Sequence, residues 1–489
     1  MSSKRLRSVV AFMAAAALVS ACADRELTGP TPDSAGVPSS VSLSSGASLS
    51  GLEQPPPSHL VVFRSSKSAP SDFAAAVAGV GGTVEFVVPR VGFASVAGLD
   101  EAGVAALAGR KDVIAVELDT RISLDLPGVG QVEAADLALD PGVHSPADPA
   151  TSFFFPRQWH HRAIGADLAW AVGELGSPDV TVAILDTGID YLHPDLAGLV
   201  DLSRSASFVP ADDAFVDAFF PGRNHITDLH FHGTHVASTV SSNALAVSGV
   251  TSRTTLIGVK VCDVFGSCPS TSVFAGVIHA ADAGADIINM SLGGTFVKSD
   301  FPGFVSVINR VMNYARQKGT LLVVSAGNAG IDLDHNGNSY ATYCDAPAVA
   351  CVSATGPSFA PTTAGPFDNP DTPTAYSNFG RSAIHVAAPG GSGSNSNPNL
   401  AAGWVWQACS QTSLVIPICQ TGVFTLGVNG TSMSSPHAAG VAAILAQGTK
   451  NAGQLRSKLQ QTADDLGQPG TDPFFGKGRV NAATAAGAN

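Results

Sequence analysis

Charged residues are scarce in this chain of 489 residues. Asp, Glu, Lys and Arg together make up 13% of the sequence, acidic residues outnumber basic ones by 39 to 26, and Lys and Arg form no long run. A protein that binds nucleic acid through its phosphates needs a basic face, so we exclude that class. Hydrophobic residues make up 45%, which suits a large core and argues against global disorder.

Long hydrophobic runs are also missing after residue 22, so the sequence offers no later membrane-spanning segment. The first 22 residues have a basic start and a short apolar run from Val9 to Val19, a pattern typical of a secretory signal peptide. The ending Val19-Ser20-Ala21-Cys22 resembles a bacterial lipobox, in which Cys22 would be lipidated. Cleavage after Ala23 is the alternative. We expect an exported protein whose precursor is anchored to the cell envelope if Cys22 carries lipid.

The sequence has seven cysteines, and six remain once Cys22 is set aside. Export to an oxidising compartment favours disulfides, and the spacing does not match a zinc ribbon. The connectivity stays open from sequence alone. We expect the local set because the six fall into close pairs along the chain: Cys262–Cys268, Cys344–Cys351 and Cys409–Cys419.

Composition divides the rest of the chain into four parts. Residues 23–57 are rich in Ser, Gly and Pro and are predicted to be a disordered tether. Residues 58–122 show strand and helix signals in the order β-α-β-β-α-β, which predicts a small ferredoxin-like α+β module. Residues 123–155 contain four prolines and are predicted to be a linker of loop character, followed by a large unit over 156–489.

The large unit alternates apolar strand-like runs with helical stretches. Continuous buried runs of this kind predict an α/β fold with a mostly parallel sheet and helices on both faces. The predicted strands are Val180–Leu185, Thr255–Val261, Ile287–Ser291, Leu321–Ser325, Ala350–Ala354 and His385–Ala388.

Four polar residues stand at element boundaries that suit acyl transfer by serine. Asp186 ends a predicted strand, where open parallel sheets place their sites. His232 and Ser432 each open a helix, and Asn328 follows another strand end. The chemistry needs a nucleophile, a base and a residue that orients the base. It also needs a donor to the oxyanion, for which Asn328 and the Ser432 N–H are candidates.

The same residues allow two other interpretations, a metallohydrolase and an α/β-hydrolase. His225, Asp228, His230 and His235 lie near His232 and suggest a metallohydrolase, but the zinc-protease pattern His-Glu-x-x-His is absent. We interpret His235 as structural. The Gly-x-Ser-x-Gly elbow of an α/β-hydrolase is also absent, because a serine follows at the last position.

Three motifs together resemble the subtilisin-like (subtilase) serine peptidases. They are Asp-Thr-Gly-Ile-Asp from residue 186, His-Gly-Thr-His-Val-Ala from residue 232 and Gly-Thr-Ser-Met-Ser-Ser-Pro-His from residue 430. Their order Asp, His, Ser is the chain order found in subtilisin. The resemblance runs from about Gln158 to Asn481.

The resemblance implies a role for each matched residue. Asp186 would orient the imidazole, His232 would act as base and then acid, Ser432 would attack, and Asn328 would bind the oxyanion. The resemblance also implies that substrate backbone pairs with a second set: Ser291, Leu292, Gly293 and Gly294. The 58–122 module resembles the family's inhibitory propeptide, and we expect the precursor to cut itself within 121–157.

The expected partners follow from this resemblance. They are protein and peptide substrates and the chain's own propeptide. We expect no nucleic-acid partner, and contact with a membrane only through the N-terminal lipid. We expect a monomer. The competing class is a surface lipoprotein that uses the same domain for binding, but a binding module has no need of all four catalytic residues.

Calcium is left open, and no cofactor is expected for catalysis. Asp195 matches a calcium-binding position of many relatives, yet residues 243–248 look shorter than the family's calcium loop. The segment 332–337 begins like an EF-hand loop, but Tyr343 stands where the bidentate Glu should be.

Overall fold

The computed structural model describes residues 57–137, 144–341 and 343–488. The predicted signal peptide, Cys22 and almost all of the predicted tether lie outside the described residues. Within the described part, no helix is both long enough and apolar enough to cross a membrane.

The N-terminal module (residues 58–118) is ferredoxin-like, as predicted. Its sheet is antiparallel, in the order β2-β3-β1-β4. Alternate residues of β1 face opposite sides: Val61 and Phe63 join the module's own core, whereas Leu60 and Val62 pack into the core of the main unit. The elements are β1 (Ser58–Phe63), α1 (Phe73–Gly79), β2 (Thr83–Val88), β3 (Phe93–Ala97), α2 (Glu101–Ala108) and β4 (Val113–Leu118).

The elements that follow, up to the middle of the chain, are β5 (Arg121–Ser123), β6 (Gly128–Ala134), α3 (Trp159–Ala163), α4 (Ala166–Ala171), β7 (Thr181–Asp186), β8 (Ala206–Ser207), α5 (Pro210–Phe219), α6 (His232–Val240), β9 (Thr255–Lys260), β10 (Ser267–Pro269), α7 (Ser270–Asp282) and β11 (Ile287–Met290). The remaining elements are β12 (Thr295–Val297), α8 (Pro302–Lys318), β13 (Leu321–Ser325), β14 (Ser339–Ala341), β15 (Val349–Gly356), β16 (Thr372–Pro373), β17 (Val386–Pro389), β18 (Val405–Ala408), β19 (Phe424–Asn429), α9 (Thr431–Ala446), α10 (Ala452–Gln461) and α11 (Ala482–Ala486).

The central sheet is parallel in the order β8-β9-β7-β11-β13-β15-β17. Among its described strands only β16 runs antiparallel, beside β15. Alternate residues of β7 supply the two faces. Val182 and Ile184 pack with α6, α9 and α10, and Ala183 and Leu185 pack with α7 and α8. The predicted α/β architecture with helices on both faces is therefore confirmed.

The segment after the module differs from the loop that its composition indicated. β5 pairs antiparallel with β10, and β6 pairs antiparallel with β19. Gly128 and Gly130 bring β6 close to the Trp404 ring, where a Cβ at either position would lie within 3.0 Å of the indole. The composition of this segment indicates a loop, whereas in the structure its glycines permit close packing.

Three disulfides close short loops of the main unit. They join Cys262 to Cys268, Cys344 to Cys351 and Cys409 to Cys419, the same local pairs that the sequence favoured.

Candidate active site

Asp186 and His232 meet at the carboxyl end of the sheet. Asp186 is the last residue of β7, His232 is the first of α6, and both are fully buried. The Asp186 carboxylate lies 2.7 Å from His232 Nδ1 and also accepts from the Thr187 N–H at 2.8 Å. His232 Nε2 is buried and makes no hydrogen bond to the described residues. The contact therefore assigns the proton to Nδ1 and leaves Nε2 with a free lone pair.

Asp228 fastens the two motifs to each other. Its carboxylate accepts from the Thr187 hydroxyl at 2.9 Å, the Thr234 hydroxyl at 2.6 Å and the Thr234 N–H at 2.9 Å. Burial raises the pKa of Asp228, although the threonine hydrogen bonds oppose this. Gly233 sits against Gly188, so that a Cβ at Gly233 would collide with the Gly188 carbonyl. These contacts fix the position of α6 relative to β7.

Ser432 is the second residue of α9 and is almost fully buried. Its hydroxyl donates to the Ser291 carbonyl at 3.1 Å, so it does not point to His232 in this structure. Helices α6 and α9, which begin at His232 and Thr431, pack against each other in the main core.

Asn328 follows β13, and its amide is fixed in one orientation. Its Oδ1 accepts from both the N–H and the hydroxyl of Thr431, each at 2.9 Å. These two donors assign the oxygen, so Nδ2 is the donor on the other side. Nδ2 donates to the backbone oxygen of Asp125 at 2.5 Å. A preorganised amide donor beside the first turn of a helix is suited to stabilising negative charge on an oxygen.

Residues 120–125 occupy a cleft beside Ser432. The strand β5 extends the edge of β10, and the Leu124 N–H donates to the Gly266 carbonyl at 2.8 Å. The side chain of Ile122 is buried in the main core. Beyond Asp125 the chain passes over Gly430, where a Cβ would meet Pro127 at 3.4 Å, and β6 then follows β19. One continuous stretch thus crosses the start of α9 in an extended form.

The second predicted set lines the same cleft. Ser291, Leu292, Gly293 and Gly294 follow β11 and line the same cleft as residues 120–125. The structure therefore brings Ser432, Asn328 and the Ser291–Gly294 segment to one groove, and it joins Asp186 to His232.

The subtilase family model matches residues 177–478. Thermitase from Thermoactinomyces vulgaris is 33% identical over 342 residues, which cover 69% of this chain and 98% of thermitase. The chain belongs to the subtilase family. Subtilisin DY from Bacillus licheniformis is 32% identical over 328 residues, 66% of this chain and 96% of that protein. This subtilase is a subtilisin-like serine endopeptidase.

Solved structures agree on the fold. The epidermin leader peptide processing serine protease of Staphylococcus aureus has a TM-score of 0.66 at 20% identity, covering 88% of this chain and 97% of that one. Fervidolysin from Fervidobacterium pennivorans has a TM-score of 0.62 at 23% identity, covering 88% of this chain and 61% of its own. At these identities the likeness supports the subtilase fold alone.

The N-terminal module docks on two helices of the subtilase unit through acidic side chains. The Glu117 carboxylate accepts from the N–H groups of Gly303 and Phe304 at 2.7 and 2.8 Å, at the start of α8. Asp119, just after the module, accepts from the Thr271 hydroxyl at 2.6 Å and its N–H at 3.2 Å, at the start of α7. Carboxylates at helix N-termini satisfy orphan N–H groups and the helix dipole. Burial raises the pKa of Asp119 to about 7.

The histidines and acids suggested as metal ligands have other partners. His235 Nε2 lies 3.2 and 3.1 Å from the carbonyls of Val405 and Leu426, which suits a structural role. Asp195 is buried and accepts from the N–H groups of Leu245 and Ala246, so backbone donors lie where a calcium ion would need open oxygen ligands. Calcium elsewhere in this subtilase stays a prediction.

Sequence reasoning missed three contributors to the site. Asp228 was considered only as a metal ligand, whereas it braces the motifs. Neither Asp125 nor Ile122 carried a motif, because a chain that lies in a cleft needs only an extended backbone and one apolar side chain. The alternation of Ile122 and Leu124 with polar residues was the one available signal.

Proposed function

We propose that the chain is an exported serine endopeptidase precursor that uses Asp186, His232 and Ser432 as its triad and cuts itself between Asp125 and Leu126. The observation that carries this proposal is the hydrogen bond from Asn328 Nδ2 to the Asp125 carbonyl oxygen. We infer that this oxygen belongs to the reacting carbonyl, because a donor of fixed orientation binds it and Ser432, in the first turn of α9, lines the same cleft.

In this proposal each member of the triad has one role, and the contact between Asp186 and His232 supports two of these roles. Asp186 holds the Nδ1–H of His232 and stabilises the imidazolium that forms. His232 Nε2 takes the proton of the Ser432 hydroxyl once that hydroxyl turns away from the Ser291 carbonyl. The Ser432 oxygen attacks the Asp125 carbonyl carbon, and Asn328 stabilises the oxyanion.

Collapse of the tetrahedral intermediate completes the first half of the reaction. The bond between the Asp125 carbonyl carbon and the Leu126 nitrogen breaks, and the proton on His232 passes to that nitrogen. Water then hydrolyses the ester on Ser432 by the same route. A protein or peptide substrate would follow the path of residues 121–125, between β10 and the Ser291–Gly294 segment, by adding a strand to a sheet edge.

The module at 58–118 acts as an inhibitory propeptide in this proposal. It is supported by the two helix caps made by Glu117 and Asp119 and by the continuous chain into the cleft. Export is supported by the three disulfides, which persist in oxidising compartments. If Cys22 carries lipid, the cut leaves the anchor with the propeptide and releases the enzyme.

The test is N-terminal sequencing of the purified mature enzyme. We expect Leu126 as the first residue produced by the initial cut, at a rate independent of precursor concentration. The Ser432→Ala precursor should stay intact and lack peptidase activity, while Ser457→Ala, on the exposed side of α10, should process normally. A Ser432→Ala chain that still matures by itself, or a first cut at another bond, would refute the corresponding part of the proposal.

A further inference from the structure

A cluster of three histidines lies inside the main unit and takes no part in the proposed catalysis. His160 and His161 belong to α3, His437 belongs to α9, and all three are fully buried. The ring centroid of His160 lies 4.4 Å from that of His161 and 4.9 Å from that of His437. One ring nitrogen from each residue lies within 4.8 Å of the other two.

Backbone carbonyls fix the protons of two of these rings. His161 Nε2 lies 2.8 Å from the Ser248 carbonyl, and His437 Nδ1 lies 2.7 Å from the Met433 carbonyl. A carbonyl only accepts, so these nitrogens carry the protons and the opposite nitrogens carry lone pairs. Outer carbonyls orient metal-binding imidazoles in the same way.

The lone pairs are poorly satisfied without a further partner. His161 Nδ1 and His160 Nε2 are buried and make no hydrogen bond to the described residues. His437 Nε2 has one contact, with His160 Nδ1 at 2.8 Å. A buried acceptor without a donor is destabilising, so the cluster is an unfavourable way to fill a core unless a ligand binds there.

We propose that His160, His161 and His437 bind one divalent transition-metal ion of the zinc class and that this ion ties α3 to α9. Neutral imidazole nitrogens suit zinc, copper and nickel, whereas calcium requires oxygen ligands. At Zn–N distances of about 2.0–2.1 Å, two nitrogens on a tetrahedral ion lie roughly 3.3 Å apart. The 2.8 Å contact between His160 and His437 must therefore open slightly, with the His160 proton moving from Nδ1 to Nε2. A water molecule would complete the tetrahedron.

The proposed ion is structural. His437 stands five residues after Ser432 on α9, and its ring is bonded to the carbonyl of Met433, the residue after the nucleophile. A bound ion would hold the start of this helix against α3 without contacting substrate. It would also stabilise the folded chain by mass action.

The test measures metal content in the full-length Ser432→Ala precursor, which remains uncut. The protein is refolded with Zn²⁺, dialysed against a weak chelator and analysed by plasma mass spectrometry for zinc per chain. We expect about one zinc per chain and a rise in Tm on zinc addition. His161→Gln, which keeps a donor for the Ser248 carbonyl, should lose the zinc.

A matched control separates this site from surface binding. His335→Gln removes an exposed histidine beside Asp332 and should keep the zinc. Co²⁺ in the unsubstituted cluster should give the intense visible bands of tetrahedral coordination. Folded protein without stoichiometric zinc, zinc retained by His161→Gln, or an octahedral Co²⁺ spectrum would overturn the proposal. The first and third readouts do not depend on whether the variant folds.

Discussion

The hydroxyl of Ser291 donates to the carbonyl oxygen of Ser432 at 2.7 Å. In an uninterrupted helix that carbonyl would accept from the N–H of residue 436, but α9 has Pro436 there, which has no N–H. Ser291 therefore supplies the missing donor and connects the residue proposed as nucleophile to the end of β11. The contact explains how a proline is tolerated one turn after Ser432.

Replacing Ser291 by alanine should loosen the first turn of α9. The Ser432 carbonyl would lose a donor in a buried environment, so we expect the free energy of unfolding to fall by about 1–3 kcal/mol. Because Ser291 acts through the position of Ser432, kcat should fall while KM changes little. Urea unfolding and steady-state kinetics measure the two effects. Ser457→Ala, the surface control, should change neither.

Removing the Asn328 amide should affect the chemical step. In Asn328→Ala the developing oxyanion loses one donor, and the corresponding loss in subtilisin is about 10²–10³-fold in kcat. We expect a similar fall with KM nearly unchanged, together with slow processing of the precursor. Asn338→Ala removes an exposed amide bonded to Ser299 and serves as control. An Asn328→Ala enzyme with full kcat would show that the oxyanion is bound elsewhere.

Retention of the cut propeptide should depend on pH through Asp119. Its pKa is about 7 when docked, because burial disfavours the carboxylate, against an ordinary value of 3.8. The docked Asp119 carboxyl therefore keeps a proton that the free carboxyl has lost, and this proton strengthens docking. Its contribution to the affinity of the propeptide is full below about pH 4 and is lost as pH rises through about 7. The affinity should fall up to tenfold per pH unit in that window and then level off.

The rate at which cut propeptide leaves the enzyme, followed by gel filtration from about pH 5 to pH 8, measures this dependence. Asp119→Asn is uncharged throughout and should release the propeptide at a rate with a flatter pH profile. Asp112→Asn changes a surface carboxylate that pairs with Arg110 and should keep the wild-type profile. An unchanged profile in Asp119→Asn would assign the effect to another group.

Acid should destabilise the folded unit through His235. Burial lowers the pKa of His235 from 6.5 to about 3, so between these values the unfolded chain binds a proton that the folded chain excludes. The contribution of the neutral His235 to the free energy of unfolding is fully present above about pH 6.5. It is lost as pH falls below that value, and the unfolding equilibrium constant then rises up to tenfold per pH unit. In the Ser432→Ala background, His235→Gln should be less acid-sensitive in urea unfolding. The control variant His335→Gln should not be less acid-sensitive, because Asp332 raises the pKa of His335.

The sheet and the motif residues could be predicted because local pattern and tertiary role agree there. β7 is a continuous apolar run buried on both faces, and a run of that kind has few other uses. Asp186 and His232 stand at element ends, where the topology of a parallel sheet brings residues distant in sequence together.

The path of residues 121–134 could not be predicted, because its structure comes from its partners. β5 is three residues long and β6 contains two glycines, so both become strands only through the edges of β10 and β19. The cluster of His160, His161 and His437 was hidden for a similar reason. His437 lies 277 residues after His160, and no spacing rule links it to the pair His160 and His161.

Because β6 pairs with β19, the proposed activation should take place in two steps. Five residue pairs hold Gly128–Ala134 along β19, and in the proposed function the leaving part of a substrate would follow the same path. Hydrolysis before Leu126 would free the carboxyl end of the propeptide. The strand β6, just after the new amino terminus, would stay paired with β19 and so remain in that path. A newly nicked molecule should thus lag before it attacks other proteins, and the length of the lag reports how quickly β6 peels away.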